Sequence, residues 1–122
     1  MITPKRIEKL YKELIDSKKF QFPHKGSSVN APTQKGVYII LNKNQKVVHV
    51  GCTPRGKYGI WQRLENHLQG LSSFADQYLD GNGRRLRNGY LYQFKIVSKP
   101  KDLKYLEALA IGKLCPKHIG KG

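Results

Sequence analysis

Acidic residues are scarce in this chain: eight Asp and Glu stand against 23 Lys and Arg, a formal charge of +15 with a pI near 10.0. A field of that sign attracts polyanions, of which nucleic acid is the commonest; a ribosomal or chromatin-type binder, or contact with anionic membrane, would share the balance. Cysteine is equally sparse. Cys52 and Cys115 lie far apart without CxxC spacing, so neither a zinc site nor a disulfide framework is indicated, and reduced thiols are expected. No apolar run approaches the roughly 18 residues of a membrane span. Residues 1–19 are too charged for a secretory signal and no lipidation pattern is present, so a cytoplasmic protein with no membrane partner is expected. Internal repeats and low-complexity tracts are also absent.

What remains is the material of one domain. At 122 residues, 39% hydrophobic and 25% charged, the chain can bury a core. Its positive charge is spread along the sequence, as on a folded basic surface. Thr3-Pro4 followed by residues 5–16 reads as a capped helix with Ile7, Leu10, Tyr11, Leu14 and Ile15 on one face. Residues 20–35, with two prolines, Gly26 and a Ser pair, read as a loop. Strands over 37–41 and 46–50 around a polar turn make a hairpin. A glycine-containing loop over 51–57 leads to a helix over 58–68, with Ile60, Trp61, Leu64 and Leu68 inward. A short helix over 74–79, a basic turn over 80–88, an aromatic strand over 90–97 and a helix over 103–114 complete the order. The expected architecture is α/β, with helices packed on a small, mainly antiparallel sheet.

Three places carry candidate chemistry. In the last helix, Glu107 is the only carboxylate between Tyr105 and Gly112, at the border of a stripe of Leu103, Leu106, Ala110 and Leu114. Such a group needs a cation: either an Arg or Lys in a core-edge ion pair, or Mg²⁺, which takes one or two protein carboxylates and completes its shell with water and phosphate oxygens. Arg63 and His67, four apart, share a helix face, and can clamp a phosphate and shuttle a proton; an exposed polar face is the alternative. In the hairpin, Tyr38 and His49 are placed to share one face of the sheet, where either can take a proton from water; a core tyrosine and a satisfied strand histidine are the plainer readings.

Taken in order, Gly36-Val37-Tyr38, His49-Val50-Gly51, R-x-x-x-H at Arg63 and His67, and a helical Glu107 ahead of Pro116 resemble the GIY-YIG nuclease family. The resemblance covers roughly residues 35–120. It implies a three-stranded sheet flanked by helices over 35–122, preceded by a helix-and-loop extension over 1–34. It further implies Tyr38 as general base or organiser of the attacking water, and Gly51 at the tight turn into the active-site loop. Arg63 would bind phosphate, His67 would stand one helical turn later, and Glu107 would hold a single Mg²⁺ or Mn²⁺. Two positions depart from the pattern. His49 stands where the second motif has tyrosine, and Cys115-Pro116-Lys117-His118 where the family tends to have an asparagine, near His118.

The activity so implied is one-metal endonucleolytic hydrolysis of nucleic acid, DNA ahead of RNA. A non-catalytic nucleic-acid-binding module on the same fold is the alternative. Phosphate contacts are expected from Lys43, Lys46, Arg55, Lys57 and the Arg84, Arg85, Arg87 cluster. Ser72, Ser73 and Tyr78 are undecided by spacing, and oligomeric state stays open.

Overall fold

A computed structural model describes residues 3–24, 26–53 and 57–119. Helix α1 (Pro4–Ile15) begins as its sequence dictates: Pro4 needs no N–H bond in the first turn, and the Thr3 hydroxyl oxygen accepts from the Arg6 N–H at 3.2 Å. Its far end is closed by a residue distant in sequence. The side-chain amide of buried Gln93 donates to the carbonyls of Leu14, Ile15 and Ser17 at 3.1–3.2 Å, meeting helix-end acceptors that would otherwise be unpaired.

The sheet consists of β1 (Phe20–Gln21), β2 (Gly36–Leu41), β3 (Val47–Cys52) and β4 (Leu91–Ile96), antiparallel throughout and ordered β1-β4-β2-β3. It thus has four strands where three were expected. Two residues give no period of their own. What makes Phe20 a strand is its pairing with Tyr92, its ring stacking on Tyr92 and Phe94 at 5.5 and 5.8 Å, and a bond from the Phe22 N–H to the Tyr90 carbonyl.

Strand β2 is buried along its whole length, which is why it reads as an unbroken apolar run and not as an alternation. One face of the sheet packs Val37, Ile39, Leu41 and Val50 against α1 and α4 (Pro100–Leu114), through Leu14, Leu103, Leu106 and Ala110. The other packs Tyr38, Ile40 and Val48 against α2 (Gly59–Leu68), α3 (Ser73–Tyr78) and a 3₁₀ helix at Gly83–Arg87, the segment expected to be a turn. Arg6 of α1 bonds the buried Asp102 of α4 at 2.8 Å and ties the two helices of the first layer together. Helix α4 ends where Cys115 turns left-handed at φ 46° and Pro116 follows.

The loop between β1 and β2 belongs to the second layer. Val29 and Phe22 are buried in it, and the Tyr92 hydroxyl both accepts from the Asn30 N–H and donates to its carbonyl. The first N–H groups of α2, on Ile60 and Trp61, donate to the carbonyls of Gln34 and Pro32 at 3.0 and 2.9 Å, so this loop caps the helix that carries Arg63 and His67. Gly59 makes the approach possible: its φ is +50°, and a Cβ there would lie 2.1 Å from the Gln34 carbonyl oxygen. Gly81 also has positive φ, +79°, but a Cβ would meet nothing within 4 Å. Gly59→Ala is therefore expected to lower the unfolding free energy by about 3 kcal/mol or more, and Gly81→Ala by about 1, in parallel urea titrations. Equal costs would show that the close packing against the loop does not constrain α2.

Candidate active site

The pairing of β2 with β3 sets Tyr38 opposite Gly51 and Ile40 opposite His49, which puts Tyr38 and His49 on one face as diagonal neighbours, ring centroids 6.0 Å apart. The Tyr38 side chain lies across Gly51: a Cβ there would stand 2.4 Å from its hydroxyl oxygen. Gly51 is thus the space in which a fully buried phenol lies, and it is the last-but-one residue of a strand where a loop was expected.

Helix α2 brings the next pair. His67 is buried to 1% exposure, and its Nε2 is 2.7 Å from the Tyr38 hydroxyl. The R-x-x-x-H face is therefore not the exposed polar face that its composition allows. It turns inward because Tyr38 supplies the polar partner that a buried imidazole requires. On its other side, His67 Nδ1 is 2.6 Å from the Ser72 hydroxyl, which caps α3 by accepting from the Ala75 N–H at 3.1 Å. Tyr38, His67 and Ser72 form one hydrogen-bonded chain. In one sense Ser72 donates to Nδ1 and Nε2–H donates to the phenol; in the other the phenol donates to Nε2 and Nδ1–H to Ser72.

A second chain runs beside it. His49 Nδ1 is 3.1 Å from His118 Nδ1, and His118 Nε2 is 2.9 Å from the Gln77 side-chain oxygen. With Gln77 accepting, His118 carries its proton on Nε2, so His49 donates from Nδ1 and leaves Nε2 bare. His118 is held by the backbone as well, its N–H donating to the Val48 carbonyl on the open edge of β3 at 2.9 Å. Phe74 lies among the three imidazoles: stacked on His49 at 4.6 Å, and edge-on to His67 and His118 at 5.3 and 5.5 Å.

Cys52 and the half-buried Glu107 of α4 complete the site around Arg63. The guanidinium lies close enough to Tyr38, Cys52 and Glu107 to favour the anionic form of each, and its buried Nε has no protein partner. Burial nevertheless dominates. It pushes the Tyr38 phenol up to about 12 and the Cys52 thiol up to about 12, and raises the Glu107 carboxyl, against which the Cys52 contact and Arg63 both act. Burial also lowers His49 to about 3, helped by His118 and Arg63, takes His67 well below its ordinary value, and lowers His118. The imidazoles are thus neutral at pH 7, beside a neutral phenol and the guanidinium of Arg63.

Tyr38, His49, Arg63, His67 and Glu107 accordingly meet in one place. The expected phosphate contacts lie around it at several points. Lys43 and Lys46 flank the hairpin turn at the far end of β2 and β3, Lys57 sits 5.8 Å over the Tyr58 ring, and Arg84 and Arg85 are exposed on the 3₁₀ helix. Arg87 is turned to other use: its Nη1 donates to the carbonyls of Pro23, His24 and Ser27 at 2.5–3.2 Å. Arg55 lies outside the described residues. Phe74, Gln77 and Cys52 enter the site without any motif having marked them. Ser72, undecided by spacing, is found to cap α3.

No protein-family model matches the sequence, and no curated protein sequence does. The fold does have solved counterparts. The GIY-YIG N-terminal endonuclease domain of UvrC from Thermotoga maritima, solved with magnesium bound, superposes with a TM-score of 0.52 over 93% of this chain and 98% of that one, at 20% identity. Two point mutants of that domain, also with the divalent cation, give 0.53 over the same spans at 20% identity. The chain has the GIY-YIG fold, and among the described residues no helix is long and apolar enough to cross a membrane.

The buried histidines fix a pH response. Their folded pKa values lie below the unfolded 6.5, so between about pH 6.5 and 5 the unfolded chain binds protons that the folded one refuses. Stability is expected to be present above pH 6.5 and to fall as pH is lowered, with a limiting slope of about 1.4 kcal/mol per pH unit for each such histidine. Urea midpoints across pH 7.5 to 5 measure this. A flat profile in wild type, or an unchanged slope in His49→Gln, would contradict the buried neutral cluster.

Proposed function

We propose that the protein is a metal-dependent endonuclease that hydrolyses phosphodiester bonds of nucleic acid, DNA ahead of RNA, inside the cell. The observation that carries this is the Tyr38 hydroxyl, buried and 2.7 Å from His67 Nε2, beside Arg63 and Glu107. Such a polar cluster, drawn from two strands and two helices, costs stability by desolvation and gains it back only in part. The five residues are those that the GIY-YIG resemblance implies; residues 35–122 carry them, and residues 1–34, the expected N-terminal extension, add a strand to the same sheet and cap α2.

The donor set fits a hard divalent cation. Among the described residues no group of three or more His, Cys, Asp or Glu is placed to hold a metal, and the imidazole nitrogens facing Tyr38, Ser72, His118 and Gln77 are taken by hydrogen bonds. That excludes a zinc-type cage from these residues and leaves Glu107 as the anionic ligand, the sparse coordination that Mg²⁺ or Mn²⁺ accepts. Bound there, the cation would supply charge neutralisation at the phosphate and the leaving oxygen.

The chain's own residues supply the rest. Arg63, with a free buried donor, holds a non-bridging phosphate oxygen and offsets the charge that grows on it as water adds. The Tyr38 oxygen accepts a proton from that water as its own passes to His67 Nε2, while the Nδ1 proton passes to the Ser72 hydroxyl and the Ser72 proton to solvent, so the imidazole stays neutral. Water oxygen bonds to phosphorus, the bond to the leaving oxygen breaks, and that oxygen takes its proton from solvent. Ser72 keeps the His67 ring in line with the phenol, and the His118–Gln77 pair fixes the tautomer of His49. In this reading His49 shapes the wall behind Tyr38, while His67 handles the proton.

Nicking of supercoiled plasmid tests the reading, with Mg²⁺, Mn²⁺ or EDTA, at low and moderate salt because a basic protein binds DNA unspecifically when salt is low. Glu107→Ala and Arg63→Ala are each expected to reduce cutting at least about a hundredfold, and EDTA to abolish it. Cutting that survives Glu107→Ala would remove that residue from the site. Plasmid retarded but never cut, with single-stranded and branched substrates also intact, would make the protein a binding module on the same fold.

A further inference from the structure

The cations at the far end of the hairpin do not stand alone. Asn42, Lys43 and Asn44 of the β2–β3 turn face Arg85, Asn88 and Tyr90 across a cleft of about 270 Å³. The two sides come from segments some forty residues apart, and they approach closely. Gly89 has φ +88°, and a Cβ on it would stand 3.2 Å from Lys43 Cβ.

No carboxylate lines this cleft; the lining is two cations, three amides and one aromatic ring. Turn formation explains part of the Asn content: Asn42 Oδ1 accepts from the N–H groups of Asn44 and Lys46 at 2.9 and 3.0 Å. Its amide nitrogen is left over; opposite, Asn88 closes the 3₁₀ helix ahead of Gly89 with its side chain exposed, and the half-buried Tyr90 packs on the core. Arg85 has only a 3.8 Å contact with Asp80, whose side chain is 90% exposed, so its guanidinium is available.

The cleft also shares the face of the active site. The Tyr90 phenol lies beside that of Tyr78; Tyr78 stacks on Phe74 at 5.4 Å, and Phe74 on His49 at 4.6 Å. Lys43 lies in the turn, two residues past the end of β2, the strand that carries Tyr38.

We propose that this cleft binds one unpaired nucleotide of the substrate strand. Lys43 and Arg85 hold its phosphate, the Tyr90 ring supports its base, and the amides of Asn42, Asn44 and Asn88 meet the base edge. A base that lies against the Tyr90 ring and turns its edge to the three amides is one without a pairing partner, the mode by which aromatic side chains take single strands. The substrate class that follows is nucleic acid with a single-stranded or displaced segment on one side of the scissile bond. This rests on the nuclease reading only for the continuation of the strand to Tyr38.

The test is a titration of the full-length ¹⁵N-labelled protein, without metal, with adenosine 5′-monophosphate and thymidine 5′-monophosphate, against inorganic phosphate. Saturable shifts of the amides over 42–44 and 85–90 are expected with both nucleotides. Asn44→Ala/Asn88→Ala, two exposed positions outside the core, is expected to weaken binding about tenfold with the fold unchanged. Inorganic phosphate producing the same shifts, or affinity unchanged in the double variant, would reduce the cleft to a cation pair and overturn the proposal. So would the absence of shifts. Since no cleavage is involved, these outcomes leave the nuclease reading intact, and an uncut plasmid would leave the cleft intact.

Discussion

The arrangement depends on one contact: the Tyr38 phenol, wholly buried, lying over Gly51 and hydrogen-bonded to His67. A buried hydroxyl must find a partner, and the partner it finds is a buried imidazole that has the same need. From there the requirement propagates. His67 needs Ser72, and Ser72 caps α3. Helix α3 brings Phe74 against His49 and Gln77 against His118, and the His118 backbone covers the open edge of β3. Removing any member leaves a polar atom stranded in a low-dielectric interior, so the network holds its geometry through mutual satisfaction.

That network also explains how a protein of +15 charge keeps its centre neutral. Most cationic side chains stay at the surface, where water screens them. Inside, burial opposes every charged form: imidazoles stay unprotonated, and the phenol and thiol stay protonated. The principal charges left are Arg63 and Glu107, on helices from opposite faces of the sheet that meet at the edge strand β3. In the proposed function, a phosphate bound there would meet the Arg63 guanidinium in a partly buried site, where its charge is less screened than at the surface.

Outside the centre, basic residues have separated into different tasks. Arg87 clamps three carbonyls of the loop that caps α2, so its charge is used to position the helix bearing Arg63 and His67. Arg6 neutralises buried Asp102 and joins the two helices of the other layer. Lys43 and Arg85 face a cleft with no carboxylate in its wall. Residues of one type in one dense run, Arg84 to Arg87, thus divide between holding the fold and facing solvent.

The sequence by itself determined the helices, the hairpin and the sandwich class, because capping residues and the periods of apolar side chains are local properties. It also singled out Tyr38, His49, Arg63, His67 and Glu107, which the fold brings together, since ordered motifs survive as spacing along the chain. Tertiary structure alone decided the fourth strand, which exists through the rings of Tyr92 and Phe94 and has no period of its own. It alone turned His67 inward, since whether a polar helix face is exposed depends on what another element offers it. It also brought Ser72, Gln77 and His118 into the site and drew Arg87 out of the surface set. Each of those assignments rests on a hydrogen bond between residues that only the folded chain makes neighbours, and such a bond leaves no period or motif in the sequence.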